Sequence, residues 1–237
     1  MAEVVKLGSL YLDGQPKKAG AFCITNKISL GGTVLDYELQ WVKLSNGLLI
    51  ADRSVCVNVS WKQLNDAGLV FGTPVTIDGE TYLCRCLKVG AEEDEPNEWD
   101  TALDEIGRDT SLWHWGDDFF WGQEVADHNE LFRVLRGYYA ARGRSQYTVS
   151  YRDDYLGFRP ALEHLDSGLC HPEELLGKAA KVYCSDGISI EGCLVDFSDY
   201  DIVLKPSSPV PVECSWITRD GSNNIISRGN ITWMEEA

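Results

Sequence analysis

Short apolar runs broken by Gly, Asn and Asp set the pattern of the first fifty residues. Leu10-Tyr11-Leu12, Ala21-Phe22-Cys23-Ile24, Leu39-Gln40-Trp41-Val42 and Leu48-Leu49-Ile50 read as strands, with Asp13-Gly14 and Asn46-Gly47 as hairpin turns. Ser60-Trp61-Lys62-Gln63 matches a capping box, and Gly68 offers a left-handed stop, so a short helix is expected over 61–67. Val75-Thr76-Ile77, the Asp78-Gly79 turn and the run from Thr81 to Val89 make another hairpin. After the acidic run Glu92 to Glu95, Asn97 caps a second expected helix. That helix carries Trp99, Ala102, Leu103 and Ile106 on one face and ends at Gly107. Residues 108–132 hold few aliphatics but Trp113, Trp115, Phe119, Phe120, Trp121 and Phe132, a pattern that reads as a long loop packed by rings.

From Arg133 to Glu163 the pattern changes again. Two apolar runs, one ending in Arg136-Gly137 and one in Leu156-Gly157-Phe158-Arg159-Pro160, enclose a middle with little aliphatic material. That middle holds Tyr138, Tyr139, Tyr147 and Tyr151 with Arg142, Arg144 and Arg152. Strands framing an aromatic, hydrogen-bonding segment suit a binding surface; a polar hairpin with ordinary surface tyrosines fits the composition equally well. His164 to Gly168 reads as a linker. Beyond it come a short Pro172-Glu173-Glu174 helix stopped at Gly177 and five strands: Ala179 to Cys184, Ile188 to Phe197, Asp201 to Leu204, Val212 to Thr218 and Ile225 to Met234. Asp186-Gly187 and Asp220-Gly221 mark two of their turns. A short helix ahead of five bent strands points to a small closed barrel.

The R-V-x-R-G run at Arg133 to Gly137, followed by Leu156-Gly157-Phe158-Arg159-Pro160, resembles the closing signature of the formylglycine-generating-enzyme branch of the C-type-lectin fold. That branch includes sulfatase-modifying factors and variable ligand-binding proteins of phages and bacteria. Trp113-His114-Trp115 and Trp121-Gly122-Gln123-Glu124 fit its variants in Firmicutes and their phages. The resemblance covers residues 1–166. Residues 172–237 resemble an Sm-like domain. Val182-Tyr183, Asp186-Gly187, Ile190, Gly192, Leu194-Val195 and Phe197 follow its first motif, and Ile226 to Ile231 follow its second. Together they imply an α+β chain with a C-type-lectin-like domain carrying two short helices over 1–166 and an Sm-like β-barrel over 167–237. Sm-like domains commonly pair edge strands into rings, so a homo-oligomer is expected.

Chemistry narrows what such a chain does. The net charge of −16 at pH 7 opposes broad attraction to nucleic acid or anionic membranes. Ser198 and Asp201 stand where Sm-like proteins usually place RNA-reading Asp and Asn, which weakens RNA binding further. No apolar run approaches a membrane span and the N-terminal stretch has no secretory apolar segment, which sets the expectation of a cytoplasmic protein with reduced thiols. Formylglycine-generating enzymes use a cysteine pair in the segment matching Arg133–Glu163, but no cysteine lies between Cys86 and Cys170. A zinc site at Cys170 and His171 and a calcium loop at Glu95-Pro96-Asn97 are the weaker readings beside solvated loops. No nucleophile–base pair or phosphate loop is evident, and neither a cofactor nor a metal is expected. The expectation is a non-catalytic, phage- or prophage-related binding protein. Its recognition surface comprises Trp113, Trp115, Trp121, Tyr138, Tyr139, Arg142, Arg144, Tyr147, Tyr151 and Arg152. A nucleotide-like small molecule suits stacked rings beside arginine forks; the alternative is docking of a protein partner.

Overall fold

The computed structural model describes residues 2–93, 95–165, 172–184, 188–198, 200–208 and 216–237. The chain divides into two compact units, residues 1–164 and 165–237. Strands account for 50% of it and helices for 12%, in three sheets. The architecture is therefore mostly β, which overturns the expected α+β class with its small Sm-like barrel. The helices are too short to form a layer: α1 spans Trp61–Asp66, α2 Glu98–Ile106 and α3 Thr110–Trp113.

Two sheets build the first unit. One runs, in spatial order, Gln15–Lys17, Glu3–Leu12, Glu38–Lys43, Leu49–Ala51, Pro160–His164, Glu80–Cys86 and Thr73–Ile77, with Ile28–Gly31 also paired to Glu3–Leu12. The other runs Arg144–Thr148, Asn129–Gly137, Phe119–Ala126, Leu156–Phe158, Cys56–Val57 and Ala21–Phe22. Successive residues of these strands enter different cores, as alternation requires. Trp41, Phe119, Trp121, Leu135 and Leu162 join one cluster, while Val42, Phe120, Val134 and Ala161 join another built on Trp99 and Trp113. With both faces covered, the strands read as apolar runs instead of clean alternation.

The stretch 108–132 departs most from its reading as a loop. It holds α3 and most of an antiparallel hairpin, Phe119–Ala126 with Asn129–Gly137. The hairpin turns on Asp127 and His128, with φ of 50° and 54°. A two-residue turn with both φ positive normally announces itself by Asn-Gly or Asp-Gly, and here glycine is missing.

The helix starts follow local chemistry. Ser60 caps α1 through a complete capping box with Gln63, and Trp61 and Leu64 bury its inner face. Asn97 caps α2 by accepting from the Asp100 amide, and Trp99, Ala102 and Leu103 are buried. Glu95 accepts from the Ala91 amide at 2.7 Å, so the Glu95-Pro96-Asn97 run spends its oxygens on its own loop and helix.

In the second unit the described residues form one antiparallel sheet of six strands: Ile217–Asp220, Asn223–Ser227, Asp201–Pro206, Ser189–Phe197, Ala179–Cys184 and Ile231–Glu236. This differs from the expected five-stranded closed barrel. The run Ile225 to Met234 breaks at the 3-10 turn Arg228–Asn230, which makes two strands of the expected one, while the expected turn at Asp220-Gly221 joins Ile217–Asp220 to Asn223–Ser227. The Asp186-Gly187 turn, Cys170, His171 and the 166/167 boundary lie outside the described residues. Among the described residues, no helix is long and apolar enough to cross a membrane.

Candidate functional site

The hairpin Asn129–Gly137 with Arg144–Thr148 decides the geometry of the recognition segment. Its register sets Arg133 opposite Tyr147, Val134 opposite Gln146, Leu135 opposite Ser145 and Arg136 opposite Arg144. Side chains two apart share a face, so Arg136, Arg144 and Gln146 stand with Val134, and Arg133 and Tyr147 stand with Leu135. The expected single surface of rings and arginines is therefore two surfaces on opposite sides of a sheet.

On the Val134 side, Arg136, Arg142 and Arg144 line a cleft of about 620 Å³ with Glu93, Asp100, Ala140 and Gly143. Arg136 is only 2% exposed and pairs with the Asp100 carboxylate. The Asn97 side-chain amide donates to the same carboxylate at 2.7 Å, so the cap of α2 also positions the ion pair. Arg142 pairs with Asp104 and lies 3.6 Å from Asp100 Oδ1. Arg144 donates to the Ala91 carbonyl oxygen and has no carboxylate at ion-pair distance among the described residues. The Nε atoms of all three arginines are buried without a hydrogen-bond partner, as is Asp100 Oδ1. Gly143 permits the tight loop behind them, since a Cβ there would meet Gly137 O at 2.6 Å and Ala140 O at 3.0 Å. Three guanidinium groups face two lining carboxylates, Glu93 and Asp100, and Arg144 is the one with no carboxylate at ion-pair distance among the described residues.

On the other side Tyr138, Tyr139 and Tyr155 gather around Phe119, and Tyr147 and Tyr151 join them through Tyr155. Tyr147 stacks on Tyr151 with centroids 4.6 Å apart, and Tyr138 lies nearly parallel to Tyr155 at 5.9 Å. The Tyr151 and Tyr155 hydroxyls are 3.1 Å apart, and Tyr151 donates to Asp153 Oδ2 at 3.0 Å. A hydrogen bond with Tyr155 and burial hold the Tyr147 phenol above its ordinary pKa. Tyr139 is 82% exposed, and Arg152 is exposed. Tyr155, outside the expected recognition surface, belongs to this cluster; its spacing of four from Tyr151 is the signal the sequence carries for it.

Two of the three tryptophans are not surface residues. Trp113 and Trp121 are fully buried, their indole N–H groups donating to Gly107 O at 2.9 Å and Val59 O at 2.8 Å. Trp115 is half-buried, packs on the Trp99 cluster and donates to Arg108 O at 3.0 Å. A mostly β unit with two cores needs large apolar volumes, and tryptophan satisfies its one donor on a backbone carbonyl.

A second polar cluster is sealed beneath the strands. Arg159 is fully buried over the Trp99 and Phe120 rings and donates to Trp113 O at 2.7 Å and Asp52 O at 3.3 Å. Burial lowers its pKa to about 10 and raises that of Asp118 to about 6, although Ser54 donates to the Asp118 carboxylate. Gly157 leaves room for Ser54, whose Oγ would lie 2.3 Å from a Cβ there. Arg159 donates to backbone carbonyls and Ser54 to Asp118, all inside the protein, a structural pattern, although Arg159 Nε is buried without a hydrogen-bond partner.

With the geometry in hand, known proteins add no guide: no family model, curated protein or solved structure matches the chain.

Proposed function

We propose that the chain is a non-catalytic binding protein that takes a compact anionic small molecule, phosphorylated or carboxylated, in the Arg136–Arg142–Arg144 cleft. The observation that carries this reading is Arg144: a guanidinium with no carboxylate partner among the described residues, in a cleft it shares with Arg136 and Arg142. The cleft volume falls in the range of roughly 300–1,000 Å³ common for ligand sites. A base-stacking role for the tyrosines toward the same molecule loses its support, because they occupy the opposite face. The nucleotide-like ligand thus reduces to its anionic part. Mass spectrometry of molecules released from heat-denatured protein tests the reading. An anion recovered from the wild type and missing from Arg144→Ala supports it; equal recovery from both refutes it.

Tyr139 motivates a second reading. A ring 82% exposed on a five-tyrosine face suits docking of another protein chain. Loss of a co-purifying protein on Tyr139→Ala, with anion recovery unchanged, would separate that activity from the cleft.

A further inference from the structure

Cys23, Cys56, Cys84 and Cys86 of the first unit are all free thiols, and Cys23 and Cys56 are neighbours. The strands Ala21–Phe22 and Cys56–Val57 pair in parallel, with Ala21 opposite Cys56 and Phe22 opposite Val57. The Cys23 amide extends this ladder by donating to Val57 O at 2.9 Å. Cys23 therefore follows Ala21 onto the face where Cys56 points. There the two side chains are neighbours in one core cluster, and each thiol shifts the other's ionisation. Neither exposes surface, yet Cys23 follows a two-residue edge strand and is flanked by Phe22 and Ile24, 54% and 82% exposed. Short edge strands open at low free-energy cost, and hydrogen peroxide is little larger than water.

We propose that Cys23 and Cys56 form a peroxide-reactive dithiol site, in which Cys23 is oxidised by a hydroperoxide and Cys56 captures the product as a disulfide. In the first step the Cys23 thiolate attacks one peroxide oxygen. An S–O bond forms, the O–O bond breaks, and the departing hydroxide or alkoxide takes up a proton. In the second step Cys56 gives up its proton and attacks the Cys23 sulfenic sulfur. The S–S bond forms, the S–O bond breaks, and the oxygen leaves as water. The two thiols together lose two electrons, and the peroxide gains them.

The surroundings separate the two roles. Donation from Cys56 lowers the Cys23 pKa to about 6 against the effect of burial, with the Thr25 backbone and Arg152 helping and Asp13 opposing. The thiol's own contact to Thr25 O, at 3.2 Å, is given up on ionisation. Cys56 is held well above its ordinary value by that same hydrogen bond and by burial, with the charges of Cys23, Asp118 and Cys86 adding to it. It stays protonated until Cys23 has reacted. Cys84, pushed up to about 12 by burial, and Cys86, held well above its ordinary value by burial and the Cys84 charge, are internal controls.

The test uses the reduced full chain, exposed to hydrogen peroxide, then unfolded, alkylated and mapped by peptide mass. Loss of the Cys23 and Cys56 thiols together, as one cross-linked pair, is expected at a rate at least about tenfold that of Cys84. In Cys56→Ser the Cys23 sulfenic acid should accumulate and be trapped by dimedone. The proposal is overturned if the wild-type map shows Cys23 and Cys56 still alkylated after Cys84 or Cys86 has reacted. It is equally overturned if the first disulfide joins other cysteines.

Discussion

Arg136 and Arg144 stand opposite each other on paired strands yet carry different burdens. Arg136 is enclosed and matched to Asp100, so truncating it strands a largely buried carboxylate. Arg136→Ala is expected to cost about 3–5 kcal/mol of unfolding free energy in a urea titration; a loss below about 1 kcal/mol would place the ion pair among weak surface contacts. Asp118 provides a pH-dependent counterpart. Its folded pKa is raised to about 6 from an ordinary 3.8, so the folded state binds the proton more tightly than the unfolded chain. Its contribution is full below the unfolded value and is lost as pH rises through about 6, a span of roughly 3 kcal/mol at most. Asp118→Asn keeps the acceptor for Ser54 and cannot ionise. The variant should therefore gain stability relative to wild type between pH 4 and pH 7; parallel curves over that range would show an unshifted carboxyl. Arg142 and Arg144 were readable in the sequence as candidates, whereas Arg136 joined them only through strand register, which composition does not encode.

The hairpin Asn129–Gly137 with Arg144–Thr148 sorts the candidate residues. Arg144 and Tyr147 are three apart, an odd spacing, so a strand must direct them to opposite faces. The separation was implicit in the sequence once Arg144–Thr148 is recognised as a strand, but its polar residues hid that assignment. The Asp127-His128 turn hid the neighbouring hairpin in the same way, by lacking glycine. The capped starts of α1 and α2 were legible because a capping side chain and its amide lie three residues apart, within reach of local pattern. Trp121 shows the opposite case. Ring-rich composition suggested a ligand surface, but the strand Phe119–Ala126 is covered on both faces and Trp121 fills one core. Trp121→Ala is expected to lower stability by about 3–5 kcal/mol. Normal stability combined with lost ligand binding would return Trp121 to the recognition surface.

Across the whole molecule, a net charge of −16 leaves little general attraction for anions, so any anion affinity must come from a local arrangement. The cleft supplies one: Asp100 and Asp104 on α2 fix two guanidinium groups, and Arg144 adds a third with no carboxylate at ion-pair distance among the described residues. The tyrosine face, on the far side of the same sheet, is independent of it in this account. Calorimetric titration of inorganic pyrophosphate into the wild type, Arg144→Ala and Tyr147→Ala tests that arrangement directly. The account predicts binding to the wild type, a loss of about 1.5–3 kcal/mol, on the order of tenfold to a hundredfold, in Arg144→Ala, and unchanged affinity in Tyr147→Ala. Affinity lost on Tyr147→Ala and retained in Arg144→Ala, or no binding to the wild type, would contradict it.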